Sequence, residues 1–320
     1  MKSVLIIATA AALAATAFSA WLYEGEWGSR GTGNGQFGFP RTVSVAANGN
    51  VYVGDSGLNR IQFFTPSGSF LGKWGSRGSG NGQFDDLEYL TVAPNGDVYV
   101  TDYDSCRVQY FTPSGSFIGK WGRRGYGHGE FIGPDGIGVA PLGRVYVVDS
   151  GLDRIQYFTP TGSFRGLWGS RGSGNGQFEW PGCLTVTRNR EVYVGDIELN
   201  RIQRFTGSGS FLDKWGASGV GDGQFDEPLG LAVAPGGNVF AADTGNDRVQ
   251  YFTPGGSFLG KWGIFGSGPG EFDSPFDVAF SPDGKRIYVA DTRNERIQYF
   301  KRTNPAVAPA SLGRVKALFR

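Results

Sequence analysis

Three carboxylates could together bind a metal ion: Glu88, Asp135 and Asp277. Each stands near the start of a short apolar segment that alternates with polar residues, the pattern of a half-buried strand. Ca²⁺ prefers carboxylate and carbonyl oxygens as ligands. If the strands converge, these side chains form a candidate calcium site, and a calcium-dependent hydrolase becomes one hypothesis for the chain.

Other catalytic sets are not visible in the sequence. The only histidine, His128, lies in a glycine-rich stretch, so a zinc site built from several histidines is excluded. A Ser-His-Asp triad would have to use His128, and nothing marks a nucleophile near it. We interpret His128 as a loop residue, predict no catalytic residues, and favour binding over catalysis.

The charges and cysteines exclude further classes. The chain has 30 basic and 29 acidic residues, a net charge of +1, which argues against broad charge-driven binding of nucleic acid or anionic membranes. Cys106 and Cys183 are the two cysteines. A chain of this size can bury a real core without disulfides, so we expect free thiols, with a bridge as the less favoured alternative.

The elements that must position these residues come from an internal repeat of 47 residues. A Gly-Gln/Glu-Phe motif places phenylalanines at Phe37, Phe84, Phe131, Phe178, Phe225 and Phe272. A Trp-Gly motif recurs at Trp27, Trp74, Trp121, Trp168, Trp215 and Trp262. An aspartate recurs at Asp55, Asp102, Asp149, Asp196, Asp243 and Asp291, and each is followed five residues later by an arginine. Six copies of one unit indicate a closed repeat architecture.

Each copy contains four short strand patterns separated by glycine, proline or asparagine. In the first copy the predicted strands are Thr42–Ala46, Val51–Gly54, Ile61–Phe64 and Ser69–Trp74. Four strands per repeat are typical of propeller blades. The sixth copy ends after its third strand, and the segment from Trp21 to Gly28 carries an unmatched strand ending in the same Trp-Gly. We therefore predict an all-β, six-bladed β-propeller of four-stranded antiparallel blades, in which the N-terminal strand completes the last blade.

The repeat closely resembles the NHL repeat family. The first copy carries the family pattern at Gly35-Gln36-Phe37, Pro40, Val51-Tyr52-Val53, Asp55 and Asn59-Arg60-Ile61-Gln62. The resemblance covers about residues 21–300 and implies a six-bladed propeller. Leu87 and Cys106 depart from the pattern. The lyase half of peptide-amidating enzymes in this family binds zinc through several histidines, which this chain lacks.

Two further activities are known for similar propellers. Lactonase-type propellers hold calcium with carboxylates and asparagine at the channel mouth, which would involve Glu88, Asp135 and Asp277 here. Some animal NHL domains bind RNA through a basic face. An arc of arginines lies in the glycine-rich loops, namely Arg30, Arg77, Arg123, Arg124 and Arg171. The neutral chain makes nucleic acid the least favoured partner.

Residues shared by all copies are first explained by architecture. We predict that each Asp-Arg pair joins the second and third strands, and that each tryptophan packs between blades. Function is then sought among the exceptions, which concentrate in the loop after the second strand and the loop entering the first strand. Both loops emerge on one face of the ring, called the upper face below. The candidate ligand-binding residues are Arg41, Glu88, Tyr89, Tyr103, Asp104, Asp135, Trp180, Glu198, Phe276 and Asp277. This mixture of aromatic and acidic residues predicts a protein or peptide partner, with a glycan as an alternative, although drift of loop residues would produce the same variety.

The ends of the chain differ from the repeats. Residues 1–20 combine Lys2, an apolar run and small residues near Ser19, the pattern of a cleaved export signal, with an uncleaved anchor as the alternative. We predict a propeller over residues 21–301 and a linker with a basic tail over residues 302–320. The expected location is therefore periplasmic or extracellular, and no cofactor other than calcium is considered.

Overall fold

The computed structural model describes residues 21–303, which form six four-stranded sheets arranged as blades. The predicted export signal and most of the predicted tail lie outside the described residues. The chain enters through β1 (Trp21–Trp27). Blade 1 then contains β2 (Pro40–Val45), β3 (Val51–Asp55), β4 (Arg60–Phe64) and β5 (Phe70–Trp74). Blade 2 contains β6 (Leu87–Val92), β7 (Val98–Asp102), β8 (Arg107–Phe111) and β9 (Phe117–Trp121).

The later blades repeat this order. Blade 3 contains β10 (Pro134–Val139), β11 (Val145–Asp149), β12 (Arg154–Phe158) and β13 (Phe164–Trp168). Blade 4 contains β14 (Pro181–Val186), β15 (Val192–Asp196), β16 (Arg201–Phe205) and β17 (Phe211–Trp215). Blade 5 contains β18 (Pro228–Val233), β19 (Val239–Asp243), β20 (Arg248–Phe252) and β21 (Phe258–Trp262). Blade 6 contains β22 (Pro275–Phe280), β23 (Arg286–Asp291) and β24 (Arg296–Arg302). Short 3-10 turns follow the second strand of four blades, at Ser56–Leu58, Ser150–Leu152, Thr244–Asn246 and Thr292–Asn294.

The ring closes as the sequence predicts. Strand β1 pairs antiparallel with β24, so the order in the last sheet is β1-β24-β23-β22. Glu24 and Glu26 of β1 form ion pairs with Arg286 and Arg296 of the last blade. Pairing with β1 covers the edge of β24 and gives the last blade the same four strands as the others.

Each blade contains the same buried Asp-Arg pair, which joins its second and third strands as predicted. In blade 1, Arg60 Nε lies 3.1 Å from Asp55 Oδ2, and the rest of its guanidinium donates to the carbonyls of Thr32, Gly33 and Gln36. The same pair is formed in every blade, at distances from 2.6 to 3.1 Å. Because the guanidinium satisfies carbonyls that have no ladder partner, the pair fixes the glycine-rich loop on the upper face.

The tryptophans pack between blades, which confirms the second architectural prediction. Trp74 of blade 1 lies 5.8 Å, centroid to centroid, from Phe111 of blade 2. The equivalent contact recurs around the ring, from Trp27 against Phe64 to Trp262 against Phe300. Glycine is required at the facing turn, because a Cβ on Gly115 would lie 2.5 Å from the Trp74 ring.

The first strands begin two residues earlier than the pattern predicted, and this difference shapes the site. Strand β2 starts at Pro40, which pairs with Asp55, and its register then shifts before Thr42. The first strand of every other blade has the same irregularity. A bulge of this kind leaves a residue outside the ladder and redirects its side chain. The residues at these bulges are therefore turned toward the channel.

Candidate functional site

The bulges place six residues at the upper mouth of the central channel, here called the mouth ring. Its members, one from each blade in order, are Arg41, Glu88, Asp135, Gly182, Leu229 and Phe276. The first three are charged and come from consecutive blades. The other three are apolar or lack a side chain, and they also come from consecutive blades. The mouth of the channel is consequently divided into a charged half and an apolar half.

The charged half is largely removed from water. Glu88 and Asp135 are 6% and 4% exposed. Arg41 Nε lies 2.6 Å from Glu88 Oε2, although the two atoms do not meet hydrogen-bond geometry. The Arg41 guanidinium also lies 5.0 Å from the centroid of the Phe276 ring, which joins the charged half to the apolar half. This contact is a cation–π interaction.

Two carboxylates facing one guanidinium in a buried place cannot both ionise easily. Burial raises the pKa of Asp135 to about 7, against the attraction of Arg41. Burial, and then the neighbouring Asp135, raise the pKa of Glu88 well above its usual range. The raised pKa values favour a proton on this pair near neutral pH, and Asp135 Oδ1 is a buried acceptor that has, among the described residues, neither a hydrogen-bond partner nor a facing cation at ion-pair distance.

A second ring is formed by the next residue of each first strand and lies deeper in the channel. It includes Tyr89, whose side chain blocks the channel. Its members are Thr42, Tyr89, Gly136, Cys183, Gly230 and Asp277. The Tyr89 hydroxyl crosses the channel and donates a hydrogen bond to the carbonyl of Leu229. Neighbouring strands approach so closely at Gly230 that a Cβ there would lie 2.5 Å from Asp277 Cα. A side chain larger than that of glycine would therefore clash with the neighbouring strand at position 230.

Asp277 serves the second ring as a hydrogen-bond acceptor. Its Oδ2 accepts from Val43 N at 2.9 Å and from Thr42 Oγ1 at 3.0 Å, and so ties blade 6 to blade 1. Burial raises the pKa of Asp277 to about 7 even though these hydrogen bonds favour the ionised form. Below Tyr89, the channel continues as a cavity of about 200 Å³ lined by the first strands.

The ten candidate residues thus separate into two groups. Six lie in or beside the channel, as described. The other four lie further out on the upper face: Tyr103, Asp104, Trp180 and Glu198. Tyr103 is half-buried, with its pKa raised by burial, whereas Asp104 and Glu198 are exposed.

Trp180 belongs to a groove at the junction of blades 3 and 4, here called the junction groove. Its walls include Asp153, Arg171, Glu179, Trp180 and Glu198, and its volume is about 320 Å³. The Trp180 side chain is 47% exposed, the largest exposure of any tryptophan in residues 21–303. Of these residues, Trp180 and Glu198 had been selected from the sequence as candidate ligand-binding residues, and Arg171 as part of the arc of arginines. Asp153 did not stand out in the sequence because it occupies the repeat position that Asn59 and Asn200 occupy in other blades.

The three calcium candidates do not form a single cluster. Glu88 and Asp135 are neighbours in the mouth ring, while Asp277 lies one ring deeper and is bonded to blade 1. Within residues 21–303, no group of three or more His, Cys, Asp or Glu side chains is arranged to hold a metal ion.

His128 and the two cysteines make packing contacts or lie buried in the core. The His128 ring stacks on Phe164 with centroids 4.4 Å apart. Cys106 and Cys183 are both buried and free, and burial raises the pKa of each thiol. In the part of the chain that the structure describes, no helix is long and apolar enough to span a membrane.

Comparison with known proteins identifies the repeat. Residues 225–252, which span the first three strands of blade 5, match the family model of the NHL repeat. The fold is an NHL-type propeller. A search of curated proteins found no match.

Solved structures share the NHL-type propeller's architecture at low sequence identity. A streptogramin B lyase structure has 14% identity and a TM-score of 0.61, covering 88% of this chain and 98% of that one. A catalytically inactive virginiamycin B lyase from Staphylococcus aureus, with quinupristin, has 15% identity and a TM-score of 0.58, covering 82% and 94%. A protein of unknown function from Bacteroides thetaiotaomicron has 15% identity and a TM-score of 0.65, covering 87% and 76%. At these identities the likeness concerns the fold alone.

Proposed function

We propose that the chain is an exported, non-catalytic NHL propeller that binds a protein or peptide through its upper face. The observation that carries this proposal is the group of blade-specific side chains that are accessible on the upper face: Asp104, Trp180 and Glu198 are exposed, and Arg41 and Phe276 are half-buried beside the channel mouth. These accessible side chains offer a partner both ion-pairing and apolar contacts, the combination that fixes orientation at protein interfaces. The junction groove extends the same face outward with an exposed indole.

The placement of the chain ends supports this use of the upper face. Trp21 pairs with Arg302 at the outer edge of blade 6, at the end of these strands that lies away from the upper face. The two described ends of the chain therefore lie on the side of the ring opposite the upper face and leave that face uncovered.

The test is a pull-down from native extract with a combined upper-face variant, Arg41→Gln, Asp104→Asn, Trp180→Ala and Glu198→Gln. These side chains are at least partly exposed, so the fold should tolerate the changes. The matched control is Leu142→Ala, a change of an 81% exposed residue on the lower face. We expect the combined variant to lose partners that the control retains. Identical partner sets for both variants would contradict the proposal.

A second candidate function, a calcium-dependent hydrolase or lactonase, is favoured by one observation. Asp135 is buried, has an unpartnered oxygen, and has a pKa raised to about 7, which is the profile of a catalytic or ligating carboxylate. Its test is thermal unfolding with and without calcium, together with metal analysis of the purified protein. A calcium-dependent rise in Tm that Asp135→Asn abolishes would support the enzyme, and an unchanged Tm would count against it.

A further inference from the structure

The junction groove differs from the other blade junctions in the residue that it displays. At the position of Trp180, the other blades carry Phe39, Asp86, Gly133, Glu227 and Ser274. Phe39 is half-buried and its ring packs against Phe276. Of these positions, only that of Trp180 combines a large aromatic side chain with high exposure.

The backbone at Trp180 holds the indole in place. Its φ is 60°, in the left-handed region that bulky residues rarely adopt. The Trp180 amide donates to Asp153 Oδ1 at 2.9 Å, so the preceding blade fixes this conformation. The Glu198 amide donates to the carbonyl of Glu179 at 3.3 Å, which keeps the two acidic residues on the same side of the junction.

The charges on the groove walls are unbalanced. Three carboxylates, Asp153, Glu179 and Glu198, face one guanidinium, Arg171, giving a net charge of −2 when all are ionised (3 − 1 = 2). Arg171 Nη2 lies 3.9 Å from Glu179 Oε1, and the Arg171 side chain is 79% exposed. An exposed pair at this distance is weak and is readily exchanged for another cation.

We propose that the junction groove binds an arginine or lysine side chain of a peptide partner. The cation lies against the indole of Trp180 and pairs with Glu179 and Glu198, displacing Arg171 from its loose contact. Tryptophan provides the best aromatic face for a cation, and the surplus of carboxylates favours a positive ligand over a neutral one. This inference rests on the proposed binding function and specifies the chemistry of the ligand.

The test uses the mature chain and a fluorescein-labelled oligoarginine peptide, with binding followed by fluorescence anisotropy. Trp180→Ala should weaken binding about three- to fivefold, since an exposed cation–π contact contributes on that scale. Glu198→Gln should also weaken binding, whereas Arg171→Gln should strengthen it by removing the internal competitor. The matched control, Phe265→Ala, changes an aromatic residue in the loop between blades 5 and 6 that is 70% exposed and should leave the affinity unchanged.

Other results would overturn the inference. These are equal affinity of Trp180→Ala and the unmodified protein, equal binding of an oligoglutamate peptide, or binding of a soluble cello-oligosaccharide in place of the basic peptide. Circular dichroism of each variant shows whether it is folded. If the combined upper-face variant loses its partners while Trp180→Ala binds oligoarginine normally, the inference fails and the proposed function stands. If the combined variant keeps its partners, the proposed function itself fails.

Discussion

The closing strand is the feature whose energetic role can be tested most directly. Strand β1 lies at the other end of the chain from the three strands of blade 6, so only non-covalent contacts hold it in that sheet. Trp27, at the upper end of β1, packs across to blade 1. We predict that Trp27→Ala destabilises the whole ring, because it weakens both the last blade and its junction with the first.

The magnitude follows from the contacts of the Trp27 ring. Its centroid lies 5.5 Å from that of Phe64, 5.9 Å from Tyr288 and 5.8 Å from Tyr299. Replacing a buried tryptophan by alanine costs about 3–5 kcal/mol. Trp27 is half-buried, so we expect a loss near the lower end, ~3 kcal/mol of unfolding free energy.

The assay is urea unfolding followed by far-UV circular dichroism, with the free energy extrapolated to water. Leu22→Ala is the matched control on the same strand, because Leu22 is 48% exposed. Its expected effect is within about 0.5 kcal/mol. Trp74→Ala provides a second comparison at the equivalent junction of blades 1 and 2, where the chain is continuous.

One result would refute this reasoning about closure. If Trp27→Ala costs no more than Leu22→Ala while Trp74→Ala remains strongly destabilising, strand β1 is not an integral part of the ring. A comparable loss for both tryptophans would show that the closing junction is as well packed as an internal one.

Three other predictions concern the channel and the thiols. Because the pKa of Asp135 is raised to about 7 in the folded protein, the native state retains a proton that the unfolded chain releases. Stability should therefore fall as pH rises from about 4 to about 7, and Asp135→Asn should flatten this dependence in urea midpoints measured across the window. Tyr89→Phe should cost about 1–2 kcal/mol in the same unfolding assay, because it leaves the carbonyl of Leu229 without a donor. Cys106 and Cys183 should not react with Ellman's reagent in the native protein and should both react in urea, since burial suppresses the thiolate.

The sequence was sufficient to predict the ring because its signals are local and repeated. The alternation around Val51 and Val53 identifies a strand, and the spacing between Asp55 and Arg60 places the buried pair. Closure followed from the unmatched strand beginning at Trp21. These features depend on neighbours in the chain or on the period itself, so they can be predicted without knowledge of distances in the folded protein.

The details of the site could not be predicted in this way. The bulge that directs Arg41 and Glu88 toward the channel depends on how tightly the first strands converge. Tyr89 meets Leu229 across 140 residues of chain, and only the diameter of the ring decides whether its hydroxyl reaches. Asp153 joins the junction groove through packing between blades. Export and the partner itself remain predictions.

The antiparallel pairing of β1 with β24 also sets how the ring would respond to mechanical force. The two described ends of the chain, Trp21 and Thr303, lie on the same side, and the first backbone pair joins Trp21 to Arg302. Tension applied between these ends would open the ladder one rung at a time, as in a zipper, and would not load all its hydrogen bonds in parallel. The first step is resisted by the Trp21 ring, which packs against Phe240, Trp262 and Phe280 with centroids 5.6 to 6.2 Å apart. We therefore expect the aromatic packing around Trp21 to set the force at which the propeller begins to open.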